Sequence, residues 1–151
     1  MKFFVTLCAI FFMATTNVKA EIFKVASSFP SVSTFNEQME FMSKRISTLT
    51  DGKVNMKVYP SGALVPAFQV LDATSSGAVD AAWTQSYYWV GKDKTLGLFN
   101  SPLGGPYGMD GIDFLGWMFH GGGLELYRPF YKDGLKLDVV PFPAMPTQNQ
   151  P

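Results

Sequence analysis

Apolar and polar positions follow two different periodicities along the chain after residue 20. Glu21–Ser28 is a mostly apolar run, which predicts a buried strand. Lys53–Tyr59 alternates between apolar and polar side chains, which predicts a strand with one buried face. Between them, apolar side chains recur three and four residues apart, which predicts one face of a helix formed by Phe35, Met39, Met42, Ile46 and Leu49.

Polar and glycine residues mark both ends of this helix. Thr34 is suited to the N-cap position, because Glu37 follows three residues later and can reach back to the cap amide. Asp51-Gly52 should end the helix, since glycine accepts a left-handed conformation there.

A second helix and a third strand follow. Pro66 suits the first position of the helix, and Gly77 closes it. Val79–Thr84 predicts a short strand. The order strand, helix, strand, helix, strand predicts an α/β fold with a parallel sheet and right-handed crossovers.

The remaining chain has a looser pattern. Asn100–Gly111 is rich in glycine and proline and predicts a long loop. Asp110 should begin a helix whose apolar face comprises Ile112, Leu115 and Phe119, with Trp117 as a further candidate. After Gly121-Gly122-Gly123 we expect a short helix at Leu124–Tyr131 and a fourth strand at Leu135–Phe142.

The first twenty residues predict a cleavable signal peptide. Lys2 precedes an apolar run at Phe3–Thr15, and Val18-Lys19-Ala20 places small residues at the positions that signal peptidase needs. A membrane anchor is the alternative, but the run is short for spanning a bilayer. We therefore expect cleavage after Ala20, a first α/β lobe at 21–141, and an extended segment at 142–151.

Composition narrows the class further. The only cysteine, Cys8, leaves with the signal peptide, so an exported chain without disulfides is expected, as in the bacterial periplasm. Basic and acidic side chains number 12 each, and no basic stripe is visible, which argues against a nucleic-acid partner. The proline-rich tail has no closing element, so we expect the chain to be part of a longer protein.

Candidate binding groups follow the three predicted strands. In an open parallel sheet, ligands bind at the carboxyl ends of the strands. Those ends are Ser27–Pro30, Tyr59–Gly62 and Thr84–Trp89, which carry hydroxyls, an amide, phenols and an indole suited to a small polar ligand. The candidate ligand-binding residues are Ser28, Phe29, Gln85, Ser86, Tyr87 and Tyr88.

Other interpretations stay open at this point. Tyr87–Trp89 could instead begin a helix that packs into the core, and Trp83 fits a core position within its strand. His120 before three glycines is similar to the oxyanion-hole motif of lipases, but the chain has no G-x-S-x-G nucleophile elbow. A secreted hydrolase that uses His120 and a sugar-binding receptor with stacking aromatics are therefore the alternatives to an organic-acid receptor.

Two segments resemble a known family. Leu49-Thr50-Asp51-Gly52-Lys53-Val54 and the following Val58-Tyr59-Pro60-Ser61-Gly62-Ala63-Leu64 resemble the extracytoplasmic receptors of tripartite ATP-independent periplasmic (TRAP) transporters. Within that family, Val65–Phe68, Ser86–Lys92 and Gly121–Gly123 are similar to the branch that binds 2-oxo monocarboxylates such as pyruvate. The resemblance extends from Phe23 to the end of the chain.

The resemblance implies a periplasmic, non-enzymatic receptor of the type II binding-protein class. Such a receptor has two lobes, most of the second being missing here, and delivers its ligand to membrane permease subunits. It also implies Na⁺ or another hard cation at the ligand carboxylate, with Gln150 as a ligand of both the organic acid and the metal. The arginine for the carboxylate is expected beyond Pro151, and a homodimer is left open.

Two departures from the branch leave the exact acid undecided. His120 stands where a tyrosine is common, and Pro146–Asn149 stands where the branch is rich in glycine.

Overall fold

A computed structural model of the chain describes residues 20–99 and 109–141. The first half contains three strands and two helices in alternation: β1 Glu21–Ser27, α1 Thr34–Leu49, β2 Val54–Tyr59, α2 Val70–Ser75 and β3 Ala81–Trp83. A 3-10 turn at Ala67–Gln69 leads directly into α2. Of the predicted signal peptide at 1–20 only residue 20 is described, and the predicted extended segment at 142–151 lies outside the described residues.

The three strands form one parallel sheet in the order β2-β1-β3. On one side of β1, Ala26 lies opposite Tyr59, and on the other side Ser27 lies opposite Trp83. The predicted α/β fold with a parallel sheet is therefore confirmed. Because both neighbours pair with the central β1 in parallel, all three strands end at the same edge of the sheet.

The first helix begins with a different cap from the one that the sequence predicts. Ser33 is the N-cap residue, and its hydroxyl accepts a hydrogen bond from the Phe35 amide at 3.2 Å. Thr34 is already helical, because the serine before it has the extended backbone that a cap requires. The predicted end is confirmed, since Gly52 has a φ of +73°.

The second half is helical in the described residues. It comprises a 3-10 turn at Ser86–Trp89 and three helices: α3 Thr95–Leu98, α4 Gly111–His120 and α5 Gly123–Pro129. Asp110 caps α4 as predicted, with a carboxylate oxygen that accepts from the amides of Ile112 and Asp113 at 2.8 Å. The loop predicted at Asn100–Gly111 lies largely outside the described residues.

The predicted apolar face of α4 is wrong at two of its positions, Ile112 and Phe119. Ile112 is 81% exposed and Phe119 is 46% exposed, whereas Met118 is only 2% exposed. Phe114 packs against the core, and so does Trp117, the further candidate for this face. The helix is apolar around most of its circumference, so spacing alone could not identify the face that packs. Tertiary contacts determine which face of α4 packs against the core, and one of them is the stacking of Trp117 on Phe99.

The predicted fourth strand is wrong within the described residues. After α5, Phe130–Gly134 forms a π-helical turn, and 135–141 contains no strand. Leu137 and Val139 still pack against the core, which explains the apolar alternation that suggested a strand. An alternating segment becomes a strand only where a neighbouring backbone pairs with it.

The core lies between the sheet, α2 and the helical second half. Its buried members come from both halves of the chain and include Ala26, Val70, Leu71, Trp89, Leu96, Met118, Tyr127 and Tyr131. No helix in the described part of the chain is long and apolar enough to cross a membrane.

The two faces of α4 generate a stability prediction. We expect Met118→Ala to lower the free energy of unfolding by about 2–5 kcal/mol, because it leaves a cavity in the core. The control Ile112→Ala should change it by no more than about 0.5 kcal/mol. Urea denaturation followed by circular dichroism measures both, and an equal loss in the two variants would contradict the observed orientation of α4.

Candidate functional site

Hydrogen bonds join the three strand ends at one edge of the sheet. The hydroxyl oxygens of Ser28 and Thr84 lie 2.6 Å apart, which links the ends of β1 and β3. The Ser61 amide donates to the Phe29 carbonyl at 2.8 Å, which links the turn after β2 to the same place. We define the rim as the residues that follow the strands here, namely 28–30, 59–62 and 84–88.

Ser28 holds the rim together from inside. It is only 2% exposed, and its hydroxyl also lies 3.1 Å from the Ala67 carbonyl, to which it donates. Because a hydroxyl carries one hydrogen, Ser28 then accepts from Thr84. Its only hydrogen is thus used within the protein, so this predicted binding residue shapes the rim rather than presenting a free donor.

An aromatic wall stands beside these hydroxyls. Phe29 stacks on Phe35 with ring centroids 4.3 Å apart, and Tyr88 forms edge-to-face contacts with Phe29 and Phe68 at centroid distances of 6.4 Å and 5.3 Å. Tyr87 stacks on Tyr88 at 4.6 Å. We use the name aromatic wall for these five side chains. Phe68 is 66% exposed and Tyr87 is 47% exposed, so the wall offers an open apolar surface.

Tyr88 combines this apolar surface with a stable hydrogen-bond donor. Burial, followed by the hydrogen bond and the charge of Tyr87, raises the pKa of Tyr88 to about 12. The phenol is protonated at neutral pH, as it would be at its ordinary pKa, and it stays so to higher pH than other tyrosines; a protonated phenol can donate to an anionic ligand.

The turn at Ser86–Trp89 divides its side chains between the wall and the core. Ser86 is 6% exposed, and its hydroxyl forms a hydrogen bond with Tyr131. Trp89 is 3% exposed and belongs to the core, as the helix-start interpretation expected. Tyr87 and Tyr88 belong to the wall, whereas Ser86, also a predicted binding residue, turns inward.

Gln85 and Trp83 are both half-buried near the ends of β3 and the following turn. Gln85 is half-buried at the start of this turn, where its carbonyl accepts from the Tyr88 amide. Trp83 is half-buried, and its indole donates to the Phe35 carbonyl at 2.8 Å. Gln150 lies outside the described residues.

Sequence reasoning missed two contributors to this edge. Phe68 lies in the 3-10 turn before α2 and completes the aromatic wall. Asn36 lies buried in the first turn of α1. An amide on the apolar side of a predicted helix was the available signal, because such a group needs partners when it is buried.

The described residues do not form a carboxylate site for a cation by themselves. Within 20–99 and 109–141, no group of three or more histidine, cysteine, aspartate or glutamate side chains could hold a metal ion. The rim supplies uncharged oxygen atoms, and further ligands would have to come from elsewhere.

A family model matches residues 25–137 of this chain, and its description is bacterial extracellular solute-binding protein, family 7. The chain belongs to this family, which consists of extracytoplasmic solute-binding receptors and not of enzymes. The resemblance to TRAP receptors found in the sequence is therefore confirmed.

Individual relatives agree with this assignment. A monocarboxylate 2-oxoacid-binding periplasmic protein of Nostoc is 34% identical over 111 residues, which are 74% of this chain and 29% of the relative. A TRAP solute-binding protein of Bordetella bronchiseptica, solved as a dimer with calcium and picolinate, matches with 31% identity and a TM-score of 0.68 over 76% of this chain and 33% of its own.

A third relative comes from Pseudoalteromonas atlantica and was solved with bound sodium and pyruvate. It is 25% identical, with a TM-score of 0.70, over 78% of this chain and 35% of its own. The chain thus spans about a third of the length of the relatives it matches.

The buried tyrosines beneath the rim generate a pH prediction. Burial raises the pKa of both Tyr131 and Tyr127. Above the ordinary tyrosine pKa of about 10, the unfolded chain loses these protons while the folded chain keeps them, so stability should fall as the pH rises. We expect Tyr131→Phe to show a smaller decrease in melting temperature than the wild type between about pH 9 and about pH 11.

Ser86→Ala is the matched control, because it removes the hydrogen bond to Tyr131 but no titrating group. It should lower the melting temperature at neutral pH and retain the wild-type alkaline decrease. An unchanged alkaline decrease in Tyr131→Phe would contradict the raised pKa of Tyr131.

Proposed function

We propose that this chain is the first lobe of a periplasmic TRAP receptor that captures a 2-oxo monocarboxylate such as pyruvate. The observation that carries the proposal is the rim, where three strand ends meet beside an open aromatic wall. Such an edge suits a small ligand with polar and apolar parts. The relatives from Nostoc and Pseudoalteromonas, whose names specify 2-oxoacids and pyruvate, support this ligand class.

Different side chains at the rim would contact the polar and the apolar parts of the ligand. The protonated phenol of Tyr88 would donate to a ligand oxygen, with Tyr87 and Gln85 as neighbouring polar groups. The aromatic wall, which includes Phe29, would contact the apolar end of the acid. Ser28 and Ser86 would act indirectly, because their hydroxyls are bonded inside the protein.

The ligand carboxylate needs charge that the described rim does not supply. We propose that Na⁺ or another hard cation bridges it, with Gln150 as a ligand of the acid and of the metal. The sodium and calcium in the related structures support a cation of this kind. A carbonyl or amide oxygen is a suitable donor for either ion.

The cellular setting belongs to the same proposal. Residues 1–20 would direct export and be removed, 21–141 would form the first lobe, and 142–151 would lead into a second lobe. The loaded receptor would deliver its acid to membrane permease subunits. A homodimer, as in the Bordetella structure, is the assembly to test.

The alternatives are weaker. A hydrolase based on His120 does not fit a family of receptors. A sugar receptor keeps one observation in its favour, since the exposed faces of Phe68 and Tyr87 could stack on a sugar ring.

Binding of pyruvate by the intact protein tests the proposal. Calorimetry should show saturable binding, and Tyr88→Phe should weaken it by about 1–2 kcal/mol, because the donor to the acid is lost. Tyr127→Phe is the matched control, since it removes a phenol from the core, and it should bind as the wild type does. Saturation by monosaccharides with no heat from 2-oxo or 2-hydroxy acids would replace the acid receptor with the sugar receptor.

A further inference from the structure

Asn36 is a buried polar side chain whose partners lie at the end of β1 and in the first residues of the rim. It lies in the first turn of α1 and is only 4% exposed. Its amide oxygen accepts from the Ser27 hydroxyl at 2.5 Å. Its amide nitrogen donates to the Pro30 carbonyl at 2.7 Å and to the Phe29 carbonyl at 3.3 Å. The side chain thus bonds the first turn of α1 to the end of β1 and to the start of the loop that joins them.

These bonds continue into the neighbouring turn. The Phe29 amide donates to the Ser27 hydroxyl at 3.1 Å, which closes a ring of bonds through Asn36. The Phe29 carbonyl also accepts from the Ser61 amide at 2.8 Å, in the turn after β2. Asn36 and Ser61 therefore hold the same carbonyl, and the loop after β1 is bonded to the turn after β2 through one peptide group.

Asparagine is an unfavourable choice for this position if only the helix is considered. It has a lower helix propensity than alanine or leucine, and burying its amide is costly without partners. Aspartate could still accept from Ser27, but it could not donate to two carbonyls. Leucine would leave both carbonyls and the Ser27 hydroxyl without this partner. The position therefore calls for a group that accepts on one side and donates on the other.

The loop that Asn36 fixes carries Phe29, which is the buried base of the aromatic wall. The Phe29 ring stacks on Phe35 and meets the edge of Tyr88. A change in the Phe29 backbone would therefore move the surface on which Tyr88 rests. We infer that Asn36 is a positioning residue of the binding site: it does not touch the ligand, and it sets the loop conformation that gives the site its affinity. This inference rests on the proposed function.

The experiment uses the intact protein with Asn36→Asp and Ser27→Ala as independent variants, so that one remains if the other fails to fold. Ser47→Ala is the matched control. It removes another side-chain bond of α1, from the Ser47 hydroxyl to the Asn55 amide oxygen at 2.8 Å, at the opposite end of the helix. Three quantities are measured: the dissociation constant for pyruvate by calorimetry, the melting temperature, and hydrogen exchange of peptides spanning 28–35.

We expect Asn36→Asp to raise the dissociation constant about tenfold and to increase hydrogen exchange at 28–35. Ser27→Ala should act in the same direction. Ser47→Ala should keep the dissociation constant within about twofold of the wild type, even where its melting temperature falls as far. If Asn36 contributed only to stability, variants with a similar loss of stability would bind pyruvate equally well, and this difference between Asn36→Asp and Ser47→Ala would not appear.

The inference is overturned if Asn36→Asp and Ser27→Ala bind pyruvate as the wild type does. It is also overturned if Ser47→Ala, at a similar fall in melting temperature, loses as much affinity as they do. Unchanged exchange at 28–35 in Asn36→Asp also overturns it, whatever the affinity. Absence of pyruvate binding by the wild type would instead contradict the proposed function. Hydrogen exchange at 28–35 in Asn36→Asp and in the wild type would then still show whether Asn36 fixes this loop.

Discussion

The central position of β1 is the constraint on which the rest of the described structure depends. Because β1 pairs in parallel with β2 on one side and β3 on the other, three chain segments must leave the sheet at the same edge. Their polar groups would be buried without partners if they did not bond with one another. The contact between Ser28 and Thr84 and the bond from Ser61 to Phe29 meet that requirement and create the rim.

The rim and the residues packed against it therefore form two layers with different tasks. The inner layer contains small polar side chains, such as Ser27, Ser28 and Asn36, which are buried and bonded within the protein. The outer layer is the aromatic wall, whose open faces remain available. Buried polar networks in which each member has partners hold a single conformation, and binding sites gain affinity from such support. In this arrangement the buried polar side chains fix the position of the aromatic wall, whose open faces are the surface that the proposed ligand would contact.

The sequence allowed much of this arrangement to be predicted, and the failures have identifiable causes. An apolar run, a helical spacing and an alternating pattern identified β1, α1 and β2 respectively, and the rule for parallel sheets predicted that the strand ends meet at one edge, as the contact of Ser28 with Thr84 shows. The face of α4 could not be read, because a helix that is apolar nearly all round shows no preferred side. The strand expected after Leu135 needed a partner that spacing cannot reveal. The inward turn of Ser86 depends on Tyr131, a contact across 45 positions that no local pattern encodes.

Amide chemical shifts of the intact, isotope-labelled protein during a pyruvate titration test the central claim most directly. Within the described residues, we expect perturbations to concentrate at residues 28–30, 59–62 and 84–88, with little change on the exposed side of α4. Saturable perturbations confined to α4 and α5, with the three strand ends unaffected, would contradict it.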